Sequence, residues 1–175
     1  QIPQRRHSNI LQGDGVIITA MNEMINIIDV KTLNTGEKFT IKNQSMGMSL
    51  AALHDSHILA AGYSKGYVII YDLDSSEQSN AAIPEENVDF IHKFNSHSQQ
   101  KESVGITCLC FKADGSLLLS GSKDTTICIY DLLEGRPLFK FVGHKESITK
   151  VVFRGNDEIV SSSLDGTLKV WSFKD

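Results

Sequence analysis

Short apolar stretches with a period of two recur along the chain, separated by polar turns. In the stretch TLKVW, Leu168 and Val170 face one way, while Lys169 and Trp171 face the other, as in a strand. The equivalent inward-facing pairs in three other stretches are Ile25 and Ile27, Val68 and Ile70, and Ile127 and Ile129. Helical periodicity persists nowhere for more than two turns, so the pattern predicts an all-β chain.

These stretches belong to a repeat. Four segments, at 15–30, 57–73, 116–132 and 158–173, share an apolar strand, small residues, a polar turn and an alternating strand. The equivalent last positions are Asp29, Asp72, Asp131 and Ser172, spaced 43, 59 and 41 residues apart. A period of about 40–45 residues is typical of four-stranded propeller blades. The spacing predicts a β-propeller of about four blades, with units at about 1–33, 34–75, 90–134 and 135–175.

The longest spacing contains an insertion at about 75–89. It is polar and acidic and includes Pro84 followed by Glu85 and Glu86. This composition predicts an extended surface loop that leads into an outward strand. Small residues such as Gly62 and Gly121 precede the turns of the repeats, where they let neighbouring strands approach closely.

The fourth unit opens with Gly143-His144 and closes at Trp171, and so resembles the repeat of the WD-repeat family, bounded by Gly-His and Trp-Asp pairs. The resemblance implies a buried, hydrogen-bonded tetrad of His, Ser or Thr, Asp and Trp. In the fourth unit its members would be His144, Ser161 or Ser163, Asp165 and Trp171. In the third unit they would be His97, Ser120 or Ser122, Asp124 and Tyr130. Lys65 and Asn22 stand at the Asp position of the second and first units, where we expect broken tetrads.

The same resemblance implies a partial ring. Family members most often close with seven blades, so four units amount to about half of one. A half ring leaves two blade faces uncovered, more apolar surface than the few hundred Å² that soluble monomers tolerate. We therefore expect the remainder of a propeller or a second chain to cover these faces.

Ser, His and Asp occur together in the third and fourth units, which raises the alternative of a hydrolase. A constellation that is buried and repeated suits structure better than catalysis, and no GxSxG motif accompanies it. Phosphate-loop and dinucleotide fingerprints are also missing from the sequence. The cysteines Cys108, Cys110 and Cys128 lack metal-ligand spacing and are expected to be small buried hydrophobes. We expect no catalytic residue, cofactor or metal, and hence no enzyme.

The composition of the chain changes these predictions little. The chain is 41% hydrophobic and 22% charged, which is ordinary for a globular protein. Its formal net charge of −4 disfavours a stand-alone nucleic-acid binder. No apolar run approaches the roughly 20 residues of a membrane span, and the N-terminus has no secretory h-region. These features predict an intracellular chain.

Local motifs narrow the resemblance further. Gly62-Tyr63 with Gly66, the run SGSKD and the pair His144-Lys145 occur in this order. In this they are similar to tandem-propeller WD-repeat proteins of the small-subunit processome, of the WD-repeat protein three type, although Tyr71 and Tyr130 replace the usual Trp.

That resemblance implies a non-catalytic scaffold in the nucleolus for 18S rRNA maturation with the U3 snoRNP. Its partners would be other proteins of a large ribonucleoprotein assembly, with weak or indirect RNA contact. The alternative is a generic WD-repeat adaptor, such as a substrate receptor of a ubiquitin ligase or a signalling subunit, in the cytoplasm.

Overall fold

The computed structural model describes residues 9–13, 16–21, 24–29, 37–42, 45–53, 56–72, 83–84, 90–97 and 104–174. All regular elements in these ranges are β-strands, arranged in four sheets. The predicted all-β fold, a partial WD40 β-propeller with about four blades, is confirmed.

Apart from the short strand β8, the four sheets are antiparallel and follow one another along the chain. Sheet one contains β1 (Asn9–Gly13), β2 (Val16–Met21), β3 (Met24–Asp29) and β4 (Glu37–Lys42), with β8 (Ile83–Pro84) added in parallel to β4. Sheet two contains β5 (Gly47–Ala52), β6 (Ile58–Tyr63), β7 (Val68–Asp72) and β9 (Phe90–Phe94). Sheet three contains β10 (Ile106–Phe111), β11 (Leu117–Ser122), β12 (Thr126–Asp131) and β13 (Arg136–Val142). Sheet four contains β14 (Ile148–Arg154), β15 (Glu158–Ser163) and β16 (Leu168–Ser172).

The sheets are offset by one strand from the sequence units. The outer strands β4, β9 and β13 open the units at 34–75, 90–134 and 135–175, yet each pairs with the last strand of the preceding unit. Three of the four strands of a sheet therefore come from one unit and the fourth from the next. Of the insertion at about 75–89, only Ile83–Pro84 lies within the described residues.

Turns also repeat between the sheets. The residues at the third position of the β6–β7, β11–β12 and β15–β16 turns are Gly66, Thr125 and Gly166, with φ of 83°, 75° and 80°. Glycine adopts this left-handed region freely, whereas a β-branched residue is strained there. Thr125 therefore holds an unfavourable backbone conformation that its two counterparts avoid.

The core lies between successive sheets. Between sheets two and three, Val68, Ile70, Ile106, Leu118 and Tyr130 are among the buried residues that pack together. The cluster between sheets three and four contains Cys108, Leu117, Leu119, Ile127, Ile129, Ile148, Val151 and Ile159. A Cβ added to Gly121 would lie 2.5 Å from Ile148 Cγ2, so a small residue is needed for this approach.

The prediction that Leu168 and Val170 point into the protein is wrong for the described structure, where 74% and 53% of their surfaces are exposed. Their counterparts Ile127 and Ile129 are buried because sheet four covers them. Beyond sheet four, the described part of the chain contains no further sheet. We define the open face as Val152, Val160, Leu168 and Val170. Val160 opposes Val152 on one side and Val170 on the other, and Leu168 lies two residues before Val170 on the same strand.

Candidate functional site

One hydrogen-bonded network lies at the end of sheet three where β11 turns into β12. His97 Nε2 lies 2.7 Å from Ser120 Oγ, and His97 Nδ1 lies 3.1 Å from Asp124 Oδ2. The Tyr130 hydroxyl lies 3.0 Å from Ser120 Oγ. All four residues are buried, with Ser120, Asp124 and Tyr130 at 0% exposure. The network thus joins the segment before β10 to two strands and the turn between them.

A second network repeats this arrangement in sheet four. His144 Nε2 lies 2.8 Å from Ser161 Oγ, and His144 Nδ1 lies 2.8 Å from Asp165 Oδ2. Trp171 Nε1–H donates to Ser161 Oγ at 2.8 Å. Because the indole only donates and the carboxylate only accepts, Trp171 donates to the serine and His144 Nδ1–H donates to Asp165. Every polar atom of the four side chains along this path then has a partner.

The other serine of each pair has a different role. Ser122 Oγ donates to Val104 O at 2.9 Å and accepts from Asp124 N at 3.0 Å. Ser163 Oγ donates to Glu146 O at 2.9 Å and accepts from Asp165 N at 3.1 Å. These serines fasten the aspartate turn to the segment that precedes the sheet, and they do not contact the imidazole.

Each aspartate also organises its own turn. Asp165 Oδ1 accepts from the Thr167 hydroxyl at 2.7 Å and from Thr167 N at 2.9 Å, as Asp124 Oδ1 does from Thr126. Hydrogen bonds from the Thr167 hydroxyl, followed by that from Lys145 N, hold the pKa of Asp165 well below its usual range. The carboxylate is therefore the stable form in the folded chain.

Sheet two has no such network and contains a pair of hydrogen-bonded tyrosines instead. Ala61 stands at the position of Ser120, and Lys65 at the position of Asp124, as register with β7 shows. Instead, Tyr63 Oη and Tyr71 Oη lie 2.7 Å apart, both fully buried. This pair was not predicted from the sequence, although two tyrosines eight residues apart across a strand turn are a visible sign of it. Asn22, expected at the aspartate position of the first unit, lies outside the described residues.

The networks do not have the features of a hydrolytic site. Ser120 and Ser161 are 0% and 1% exposed, and each oxygen already contacts the polar group of an aromatic side chain and an imidazole. Within the described ranges, no three His, Cys, Asp or Glu side chains are grouped to hold a metal. Burial raises the pKa of the Cys108 thiol to about 11 and that of the Cys128 thiol to about 12, so neither is a nucleophile at neutral pH.

Repeated antiparallel sheets with a His–Ser–Asp–aromatic network at one end define a WD-repeat β-propeller protein. Residues 16–175 match the family model described as "Nucleolar protein 10-like, N-terminal domain". The chain belongs to this family of propeller domains, and the predicted WD-repeat membership is confirmed. These matches do not assign the chain to the subgroup predicted from local motifs, the WD-repeat protein three type.

Curated relatives are WD-repeat proteins at low identity. A WD repeat domain-containing protein 83 homolog of Dictyostelium discoideum is 28% identical over 89% of this chain and 43% of its own length. The U3 snoRNP-associated protein-like EMB2271 of Arabidopsis thaliana is 26% identical over 84% of this chain and 32% of its own length. E3 ubiquitin-protein ligase COP1 of Pisum sativum is 39% identical over 41% of this chain and 11% of its own length. The chain thus spans less than half the length of each of these relatives.

Among solved structures, the computationally designed Ika4 protein aligns with a TM-score of 0.75 over 99% of this chain and 95% of its own. At 21% identity, this similarity shows the fold alone. The described residues contain no helix long and apolar enough to cross a membrane.

Proposed function

We propose that the chain is part of a non-catalytic WD-repeat scaffold that assembles proteins of the small-subunit processome, the U3 snoRNP particle that matures 18S rRNA in the nucleolus. The observation that carries this proposal is the match of residues 16–175 to nucleolar protein 10-like domains. A relative named as U3 snoRNP-associated, aligned over 84% of the chain, supports it.

The mechanism would be positional. Buried networks fix the turns of sheets three and four to the segments that precede them, so the loops at that end have defined positions. A rigid frame with exposed loops suits the docking of several proteins at once. With a net charge of −4, the chain would contact RNA weakly or through its partners. The serines of the networks are inaccessible, which supports a role without catalysis.

A second candidate is a WD-repeat adaptor, for example a substrate receptor of a ubiquitin ligase. The observation that favours it is the 39% identity over 73 residues with a protein named E3 ubiquitin-protein ligase COP1. That alignment covers 41% of the chain, whereas the nucleolar family model matches residues 16–175. We therefore rank the adaptor second.

Purification of the tagged endogenous protein, with sequencing of bound RNA and identification of bound proteins, separates the two. We expect enrichment of U3 small nucleolar RNA and 18S precursors, and nucleolar fluorescence of the tagged protein. A parallel purification after ribonuclease treatment tests docking through proteins, because direct protein partners should remain bound. Recovery of ubiquitin-ligase subunits without U3 RNA would replace the processome proposal with the adaptor.

A further inference from the structure

Three exposed lysines lie at one end of sheets two, three and four. Lys65 is in the β6–β7 turn, Lys123 is in the β11–β12 turn, and Lys145 is in the segment before β14. We call this the network end, because the His–Ser–Asp networks lie just beneath it. In the part of the chain that the structure describes, none of the three lysines forms an ion pair.

Backbone contacts bring these segments together. Lys123 N donates to Gly105 O at 2.9 Å, and Gly105 in turn lies against Ser64 of the β6–β7 turn. Gly121, two residues before Lys123, packs against Ile148 at the start of β14. The three lysines therefore occupy neighbouring positions on successive sheets.

The opposite end of sheets three and four differs in its electrostatics. There, each described lysine or arginine in or beside the β10–β11, β12–β13 and β14–β15 connections, or in the segment after β16, has its own carboxylate partner. The pairs are Lys112 with Asp114 at 3.3 Å, Arg136 with Glu134, Arg154 with Glu158 at 3.5 Å, and Lys174 with Asp157 at 3.5 Å. The positive side chains described at this end are therefore paired within the chain.

At the network end, the carboxylates that could neutralise the lysines are turned inward. The side chains of Asp124 and Asp165 are 0% and 8% exposed and bind the histidines and threonines described above. Glu146 is the one exposed carboxylate among the described residues of this end. The surface thus presents more positive than negative side chains to a partner.

We propose that the network end docks an acidic segment of a protein partner, an inference that rests on the scaffold function proposed above and adds the chemistry of its ligand. Exposed Met46 and Leu164, at 45% and 69%, lie at the same end and would contact apolar side chains of the segment. Single-stranded nucleic acid is bound largely by stacking of its bases on exposed aromatic side chains. The described residues of this end expose no aromatic ring but do expose aliphatic side chains, so they favour a carboxylate-bearing peptide over RNA.

The test compares two variants of the whole natural polypeptide that contains this chain. K65Q/K123Q/K145Q removes three charges from the network end, and K112Q/R136Q/R154Q removes three from the opposite end. Binding of a short fluorescein-labelled peptide in which Glu alternates with Leu is measured by anisotropy, beside a uridine-only RNA of similar length. Since one exposed ion pair contributes a factor of about 1.5–5, we expect the first variant to bind the peptide about tenfold more weakly. The second variant should bind within about twofold of wild type.

Several results would overturn the proposal: no peptide binding by the wild type, equal losses in both variants, or tighter binding of the RNA than of the peptide with the same lysine dependence. Recovery of U3 RNA with the wild-type protein is scored separately. If U3 RNA is recovered but the peptide does not bind, the docking proposal fails and the scaffold function stands. If U3 RNA is not recovered, the processome function fails whatever the peptide does.

Discussion

Tyr63 Oη lies 2.7 Å from Tyr71 Oη inside sheet two, at the register positions that Ser122 and Tyr130 occupy beside the histidine network of sheet three. The strands at this end are therefore joined by a tyrosine pair in sheet two and by a His–Ser–Asp network in sheets three and four. The tyrosine pair is uncharged and fully buried, whereas the networks contain a carboxylate. The junctions should consequently respond differently to mutation and to pH.

The tyrosine pair can be tested by removing its hydroxyl groups. Tyr63→Phe and Tyr71→Phe should each lower the free energy of unfolding by about 1–2 kcal/mol, because each leaves a buried hydroxyl with one bond fewer. The double variant should lose less unfolding free energy than the two single variants added together, since the second substitution removes the hydroxyl that the first left without its partner. Urea unfolding measures all three variants, and strictly additive losses would show that the two hydroxyls do not act together.

Ser161 should be the most sensitive serine of sheet four. Ser161→Ala removes the group between His144 and Trp171 and should cost about 1–3 kcal/mol in unfolding free energy. Ser162→Ala is the matched control, because the Ser162 hydroxyl hydrogen-bonds to the exposed Thr149 hydroxyl, and a surface change costs about 0.5 kcal/mol or less. Trp171 is the single tryptophan of the chain, so its fluorescence reports the unfolding directly. Equal costs for the two serines would contradict the network.

The Asp165 carboxylate should make stability depend on pH. Hydrogen bonds from Thr167 and Lys145 N depress its pKa in the folded chain relative to about 3.9 in an unfolded one. Its contribution is therefore fully present above the unfolded value and is lost as pH falls toward the folded value. Urea midpoints measured from mildly to strongly acidic pH should fall more steeply for the wild type than for Asp165→Asn. Parallel curves for the two proteins would remove Asp165 from this role.

Thr125 should be improved by glycine. Its φ of 75° matches the 83° and 80° of Gly66 and Gly166 at the same turn position, where a β-branched residue is strained. Thr125→Gly should raise the unfolding free energy by about 0.5–1 kcal/mol, the strain relief of about 1–2 kcal/mol being partly offset by the flexibility of the unfolded chain. The converse change, Gly166→Thr, should destabilise. A loss of stability in Thr125→Gly would mean that the threonine side chain contributes more than its strain costs.

The open face should make the isolated 175-residue chain self-associate or unfold easily. Leu168→Lys with Val170→Thr should reduce association, as measured by sedimentation, because it removes exposed apolar surface from this face. Val142→Thr is the control, since Val142 is 69% exposed but lies on β13 of sheet three and is not part of the open face. A wild-type monomer with a sharp unfolding transition would show that the face needs no cover.

Sequence reasoning succeeded where the signal is local. The alternation at Ile127 and Ile129 and the regular spacing of the units are properties of neighbouring residues, and they predict strands and a propeller. The WD-repeat resemblance left the choice between Ser161 and Ser163 open, since residues two apart share a strand face and only coordinates separate their distances to the histidine.

Features that depend on other strands were harder to predict. The exposure of Leu168 follows from which sheet lies beside it, and the alternation of its own strand carries no such information. The tyrosine pair required a chemistry different from that of the family tetrad. Among the described residues, the lysines of the network end differ from the cations of the opposite end in having no carboxylate partner, and the sequence does not show which cations are paired.

The one-strand offset between units and sheets bears on how such a chain could grow. A unit copied as a whole, for example 135–175, brings β13 to finish the sheet before it and leaves its own last strand, β16, to be completed by whatever follows. A newly duplicated repeat would therefore already share a sheet with the repeat before it. Removing a complete unit would likewise leave the preceding sheet to be finished by the first strand of the next unit, so the offset keeps neighbouring repeats joined whether a unit is gained or lost.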